Sequence, residues 1–374
     1  MPVGRARRPE IGLRVGKVAK AANTPPAGRD PAPATGYPEP HPNRSRPVSD
    51  LVALYKAVCA EPDEDTPRLV FADFLQEQGG KENAFRADYI RAAVRLAREE
   101  AYSPPWAKAW GVWNKLNRRV TDRQYQKKLP WVKHLEGRVA AFDWDRGFVG
   151  HITVYAKRFV AEAERFFSED PIRSVKFVTL ASSRGSVPVP ELFRCPHLAR
   201  VAKLGLDNSD LTDANLTTIG KSPHLAGLRA IALSGNQRFT PRGLVKLLQD
   251  LPAVSELLVP QSYHLDDRFA EALAGSPVLA KLSVLNLAEH ALGPKGVAAV
   301  LATRHGANLR ELRLDLGYEY DQERGYTGDQ RRFTKKDGKA MAEVLAKARF
   351  PNLRFLDLSG CRIGDAGLVA LVAG

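Results

Sequence analysis

The chain has 374 residues, 44% hydrophobic and 26% charged, which is enough apolar material for a large core and excludes wholesale disorder. No stretch approaches the ~18 consecutive apolar residues of a membrane span. Three isolated cysteines, Cys59, Cys195 and Cys361, with no CxxC pair, exclude a disulfide scaffold and a cysteine-built zinc site and fit a reducing, cytoplasmic setting. The formal charge is +14, but residues 1–47 hold nine Lys/Arg against three Asp/Glu, and the remainder is only mildly basic. A nucleic-acid footprint requires clustered charge, so the high isoelectric point does not by itself imply one.

Residues 1–47 contain ten prolines and few patterned apolar residues, which predicts a disordered Pro/Arg-rich tail. Ile11 to Val15 is too short and too charged for a secretory signal. A valine codon can initiate in bacteria, so Val48 offers an alternative start, which the intact mass of the native product decides.

Residues 48–100 read as three helices, Leu51–Ala60, Arg68–Gln78 and about Asn83–Glu100. Asp65 or Thr66 before Pro67 predicts a helix cap with proline in the first turn, and Gly79-Gly80 a stop. Asp63, Glu64 and Asp65 are read as acids favoured by the helix N-terminus rather than as a metal site, because the glycine and terminal glutamate of a calcium loop are missing.

The run from Leu54 to Gly79, with Phe85-Arg-Ala-Asp-Tyr-Ile-Arg91, resembles the bacterial repeat-companion domain, a short helical module found beside repeat arrays. That family usually has Trp where Phe74 stands and often Glu-Phe-Ile where Asp88-Tyr89-Ile90 stands; both changes keep the apolar character. The resemblance implies a bacterial origin and an adjoining repeat array, and carries no activity with it.

Residues 101–141 form a Trp-rich helical connector, with Trp106, Trp110, Trp113, Leu116 and Val120 at helical spacing. The basic segment 115–138 could pair with these aromatics on nucleic acid. The aromatics and the basic residues fall on opposite faces, which favours a packed helix with a solvated basic side.

From 142 to 374 one frame, apolar-x-x-apolar-x-apolar-x-x-polar, recurs. It reads Val175-Val178-Leu180-Ser183, Val201-Leu204-Leu206-Ser209, Leu228-Ile231-Leu233-Asn236, Val254-Leu257-Val259-Ser262, Leu282-Leu285-Leu287-His290, Leu309-Leu312-Leu314-Gly317 and Leu353-Leu356-Leu358-Cys361. The alternation puts positions four and six on one face of a short strand. Helical runs beginning at Gly243, Gly296, Gly338 and Gly367, and Pro-x-Leu returns at 196, 223, 277 and 351, complete the units. Phe142–Val154 and the helix Phe159–Ser168 read as an N-terminal capping unit. Leu368, Leu371 and Val372 are left uncovered; a truncated array, a dimer contact and fraying all remain open.

This pattern resembles the long, ribonuclease-inhibitor type of leucine-rich repeat. The resemblance implies an α/β leucine-rich-repeat solenoid of seven units, with parallel strands concave and helices convex, preceded by a small all-α module. Positions three, five, seven and eight then face the concave side. In the first unit these are Phe177, Thr179, Ala181 and Ser182. The candidate partner-binding residues on this face are Glu256, Asn286, Glu289, Glu311, Arg313, Asp315 and Asp357, and their acidity predicts a basic protein partner. A 44-residue step marks an insertion near 317–337, whose Tyr318, Tyr320, Tyr326 and Phe333 have the composition of a contact loop.

There is no phosphate-cradling glycine loop, no HExxH and no GxSxG. The eight histidines are scattered, and His197 and His224 occupy equivalent returns. The expectation is a non-enzymatic interaction scaffold without metal or cofactor. The alternatives are nucleic-acid or polyanion binding through the tail and 115–138, and, by fold analogy alone, regulation of a GTPase.

Overall fold

In the computed structural model the described residues are 47–374, apart from 127, 181–184, 186, 263–264, 290–291, 315–318, 322–324, 328–339, 342, 362, 366–367 and 370–374. The expected disordered tail, residues 1–46, lies outside them, as do most of the insertion and the last five residues.

The chain begins with α1 (Pro47–Ala60), α2 (Thr66–Gln78), α3 (Lys81–Arg98), α4 (Pro104–Val120) and the short α5 (Arg123–Gln126), then a 3-10 turn at Pro130–Leu135. A hairpin follows, β1 (Ala141–Asp145) and β2 (Phe148–Val154), and then α6 (Ala156–Glu169). The repeating part runs β3 (Ser174–Phe177), α7 (Val189–Leu192), β4 (Lys203–Gly205), α8 (Asp213–Gly220), β5 (Ala230–Ala232), α9 (Pro241–Asp250), β6 (Glu256–Leu258), α10 (Asp267–Ala274), β7 (Val284–Asn286), α11 (Pro294–Leu301) and β8 (Glu311–Arg313). The insertion supplies β9 (Glu319–Asp321) and β10 (Gly325–Thr327), and β11 (Phe355–Asp357) closes the main sheet.

Nine strands form one sheet in the order β1-β2-β3-β4-β5-β6-β7-β8-β11. Only β1 and β2 pair antiparallel; every later pair is parallel. Leu204, Ile231, Leu257, Leu285, Leu312 and Leu356 stand side by side across β4 to β11. The first five of these are at most 2% exposed, so position four of each unit feeds one continuous core.

The first unit departs from the expected frame. Val175 pairs with Leu204 and therefore holds position four, not position one. Phe177 takes position six and is fully buried, and Lys176 is the residue that faces outward. An apolar residue recurs at both offsets here (Ile172 and Val175), so spacing alone did not fix the register; burial of the larger Phe177 does.

Side chains lock adjacent units together. Asn236, fully buried, accepts from the backbone N–H groups of Ser209 and Leu211 and donates to the carbonyls of Leu206 and Leu233. The turn after β4 thus finds its missing hydrogen-bond partners in the next unit. Asp213, at the start of α8, accepts from the N–H and hydroxyl of Thr240, which caps α9 (2.7 Å each). Asp267 of α10 accepts in the same way from the N–H groups of Gly293 and Gly296. A Cβ on Gly243 would lie 2.0 Å from Asp213 Oδ1, and one on Gly296 2.4 Å from Asp267 Oδ1. The recurring glycine at the head of these helices is therefore the space that the preceding unit's carboxylate occupies.

The helical module packs on the hairpin. Val58, Phe71, Ala72, Leu75, Ala87, Ile90 and Val94 form its core together with Phe148 of β2. Asp65 holds the N-cap position of α2 with proline in the first turn, as the sequence predicts, but the acidic side chains are used elsewhere. Asp65 makes no side-chain cap bond and instead pairs with Arg98 (2.8 Å) and Arg146 (3.0 Å), while Asp63 grips Arg173 at the entrance to β3. Three arginines from other elements draw these carboxylates away from the helix end, because a charge-assisted pair is stronger than a neutral cap bond.

Candidate partner-binding face

The candidate site is the strand face opposite the core. Strands lie about 4.8 Å apart, closer than packed helices at 8–10 Å, so the strands take the inner, concave side of the array. Register aligns two rows on this face. Position three reads His151, Ser174, Lys203, Ala230, Glu256, Val284, Glu311 and Phe355. Position five reads Thr153, Lys176, Gly205, Ala232, Leu258, Asn286, Arg313 and Asp357.

The structure therefore places Glu256, Asn286, Glu311, Arg313 and Asp357 on this face, in register, as the spacing predicts. Their charges are largely matched within the face. Lys203 reaches across the short Ala230 to Glu256 (3.1 Å), Lys176 pairs with Asp207 (2.7 Å), and Arg313 pairs with Glu311 (2.6 Å). Among the described residues of this side, Asp143, Asp207, Glu256, Glu289, Glu311 and Asp357 stand against Lys176, Lys203 and Arg313. The face keeps an acidic excess, smaller than the later units alone suggest. Burial holds His151 below its usual range, so it adds no cation at neutral pH.

Position eight has its own geometry. Asn208, Gly235, Gln261, Glu289 and Gly360 all have left-handed backbone, with φ between +51° and +79°. Two units use glycine there; Gln261 and Glu289 accept the strain, and the Gln261 amide donates to Glu289 Oε2 (2.8 Å). Asn286 Oδ1 is held by the N–H of Ala288 and Asp357 Oδ1 by the N–H of Ser359, so both are fixed as turn acceptors.

In the insertion, β9 and β10 pair antiparallel with Tyr320 opposite Tyr326. Asp315, Tyr318 and Phe333 lie outside the described residues.

Residues absent from the sequence-based site also lie on this face. Tyr102, in the α3–α4 loop, stacks on Phe355 of β11 (centroids 5.0 Å, 27°), and its hydroxyl lies 3.5 Å from Glu311 Oε2. The Arg313 guanidinium also lies over the Phe355 ring, 4.6 Å from its centroid. Glu100 pairs with Arg354 (2.9 Å). Trp106 packs on Tyr102 (5.3 Å) and Trp110 on Trp106 (6.4 Å), extending the aromatic line along α4. The tryptophan stripe is thus split in use: its C-terminal end, around buried Asn117 and Val120, packs on the module, while Trp110 remains 42% exposed. No periodicity marks Tyr102, a single left-handed residue (φ +66°) between two helices.

A buried polar cluster joins the module to the capping unit. The Tyr55 hydroxyl donates to Asp170 (2.9 Å), and His134 Nε2 lies 2.6 Å from the other Asp170 oxygen. Burial pushes the nearby Cys59 thiol up to about 12, helped by the charge of Asp170. That is the opposite of what a thiolate nucleophile needs. Among the described residues no three His, Cys, Asp or Glu side chains are placed to hold a metal, and no helix is long and apolar enough to cross a membrane.

No curated protein matches the chain. Residues 351–372, which include β11, match the family model of the leucine-rich repeat.

Proposed function

We propose that this chain is a non-enzymatic scaffold that binds a protein partner through the concave face of β6 to β11 and the inserted hairpin. Leucine-rich repeats generally mediate protein–protein contacts, which supports the class of function. The observation that carries the reading for this chain is the register of Glu256, Asn286, Arg313 and Asp357 on neighbouring strands, which presents a fixed polar array with an acidic excess. Such an array sets encounter rate and partner choice more than raw affinity, and it selects a partner with a basic contact surface. The helical module, read as a bacterial repeat-companion domain, anchors the array's first hairpin and makes the chain a cytoplasmic adaptor without cofactor.

The experiment is affinity capture by the full chain, by a chain lacking 318–336, and by Glu256→Lys/Glu289→Lys/Asp357→Lys. Loss of the same captured protein from both variants supports the reading; capture unchanged by either rejects it. The nucleic-acid alternative has less support, because Arg119 of the basic segment is engaged by Glu82 (2.6 Å) and stacked over Phe85. Steeply salt-dependent binding of heterologous DNA would restore it.

A further inference from the structure

The helix side of the array carries a groove between α9 and α10. It has a volume of about 840 Å³ and opens to solvent, and its walls include Arg242, Val245 and Lys246 of α9 and Arg268 and Ala272 of α10, with Gly275 just past the end of α10. The α9 residues recur three and four positions apart, which keeps them on one face of that helix. Arg242 and Arg268 are each the second residue of their helices, α9 starting at Pro241 and α10 at Asp267, so successive units bring the two guanidinium groups to the same end of the groove. The equivalent residue of α8 is Ala214 and that of α11 is Lys295, so among these four helices only α9 and α10 pair two arginines. Both arginines are exposed, and among the described residues neither meets a carboxylate. The nearby acids are engaged elsewhere. Asp250 is committed to Lys246, four residues before it on α9. Asp266 accepts from the N–H groups of Arg268 and Phe269, and Asp267 from those of Gly293 and Gly296 in the following unit. Glu271 follows Asp267 by one helical turn and so shares the side of α10 that faces α11. What remains in the groove is a pair of free cations at one end and a strip of Val245, Ala272 and Gly275 beside them.

We infer that this groove docks an acidic peptide segment of a second protein, with carboxylates on Arg242 and Arg268 and an apolar side chain on Val245 and Ala272. Charge selects the anion. A guanidinium fork binds a carboxylate through two parallel hydrogen bonds, and two forks at one end select acids close together in sequence. From Arg242 to Gln249 the α9 wall is about 10 Å long, room for about three residues of extended chain. The small Ala272 and Gly275 leave space for the apolar side chain. A nucleic-acid backbone fits less well, because its charge repeats along its length, whereas the free cations here stand at one end. The groove lies on the opposite side of the array from the acidic strand face. One chain can therefore hold two partners of opposite charge at once, and this inference does not rest on the strand-face reading above.

Phage-displayed random heptapeptides, selected on the full chain, supply the probe; enriched sequences are synthesised with a fluorophore and titrated by anisotropy. The expected result is a class with two or more Asp or Glu next to Leu, Val or Ile. Arg242→Glu/Arg268→Glu should weaken binding of that class roughly tenfold or more. Ala272→Phe, which fills the groove without changing charge, should weaken it severalfold. Lys221→Glu/Arg229→Glu makes the same change of net charge at exposed positions outside the groove and should leave binding within about twofold. The substituted side chains are all exposed, and unchanged helical circular dichroism confirms that each variant folds. Selection that yields no acidic class, equal weakening by the two charge reversals, or binding insensitive to Ala272→Phe overturns the inference; in the last case displacement of the peptide by heparin would assign the arginines to polyanions instead. Basic peptides that bind Arg242→Glu/Arg268→Glu as well as the native chain report on the strand face, so the two readings fail separately.

Discussion

Phe148, the first residue of β2, stands 5.4 Å from Phe71 of α2, centroid to centroid. A strand residue of the array's capping hairpin thereby completes the core of the helical module. The neighbouring turn reinforces the contact. Arg146 spans Asp65 and the carbonyls of Pro62 and Asp63, and a Cβ on Gly147 would lie 2.5 Å from Ile90 Cγ1. Arg68 and Arg86, both buried, lay their guanidinium groups over the Phe148 ring (5.1 and 5.8 Å). The module and the array therefore share side-chain packing at this hairpin.

Phe148→Ala tests this coupling. Truncating a fully buried phenylalanine costs about 3–5 kcal/mol. If the module and the array share a core, urea unfolding followed by tryptophan fluorescence, dominated by α4, and by far-ultraviolet circular dichroism, dominated by all helices, should shift together to lower midpoint. Transitions that separate, with the array unmoved, would show that the hairpin belongs to the module alone.

The His134–Asp170 pair gives a pH dependence with a definite sign. The hydrogen bond to Asp170 raises the His134 imidazole above its usual value. Burial raises Asp170, against the pull of His134 and Tyr55. Both groups hold their protons more tightly in the folded chain, so each makes stability fall as pH rises. For His134 the contribution is complete below the unfolded histidine value of about 6.5 and disappears as pH passes through the raised folded value. His151, held below its usual value by burial, acts in the opposite sense over the same range, so the His134 contribution is read as a difference: the melting temperature of the native chain should fall relative to that of His134→Gln, which keeps a donor towards Asp170 without titrating, between pH 6 and pH 8. An identical slope in the variant would assign the pH dependence elsewhere.

The array was legible because its physics is periodic. Leu204, Ile231, Leu257, Leu285 and Leu312 recur at the interval that one strand and one helix consume, and the structure stacks them in register. Asn236 was legible for the same reason, as the polar residue whose amide serves four backbone groups. The first unit misled by three residues because Ile172, Val175 and Val178 offer overlapping frames, and a sequence does not show that Phe177 fills the interior. The candidate face was readable as positions on strands, but its pairings were not. Lys176 belongs to it only in the corrected frame, and Lys203 reaches Glu256 only because Ala230 lies between them. Tyr102 and Glu100 were invisible, since contacts separated by some 200 residues leave no trace in spacing.

The glycine in the first turn of α9 yields a paired experiment. Gly243→Ala would drive a methyl group into Asp213 Oδ1, the carboxylate that holds the α9 cap residue Thr240, and overpacking of this kind costs about 1–3 kcal/mol. Gly227 has no atom within 4 Å of an added Cβ and its φ is ordinary, so Gly227→Ala should be neutral or stabilising by up to about 1 kcal/mol. Urea midpoints of the two variants decide it. Equal shifts would mean that the Asp213 carboxylate does not select glycine at 243.

Glu289 poses the sharpest choice between structure and use. Its backbone is left-handed (φ +55°), a conformation that costs a side-chain-bearing residue about 1–2 kcal/mol, whereas Gly235 and Gly360 hold the equivalent position without that cost. Glycine at 289 recovers the strain and gives back about 0.5–1 kcal/mol in unfolded-chain entropy. The hydrogen bond from Gln261 is exposed and contributes little against this balance. Glu289→Gly should therefore melt at an equal or higher temperature than the native chain while weakening capture of the partner, as expected for a side chain kept for its outward contact. A lower melting temperature with capture intact would make Glu289 a structural brace for Gln261 and remove it from the binding face.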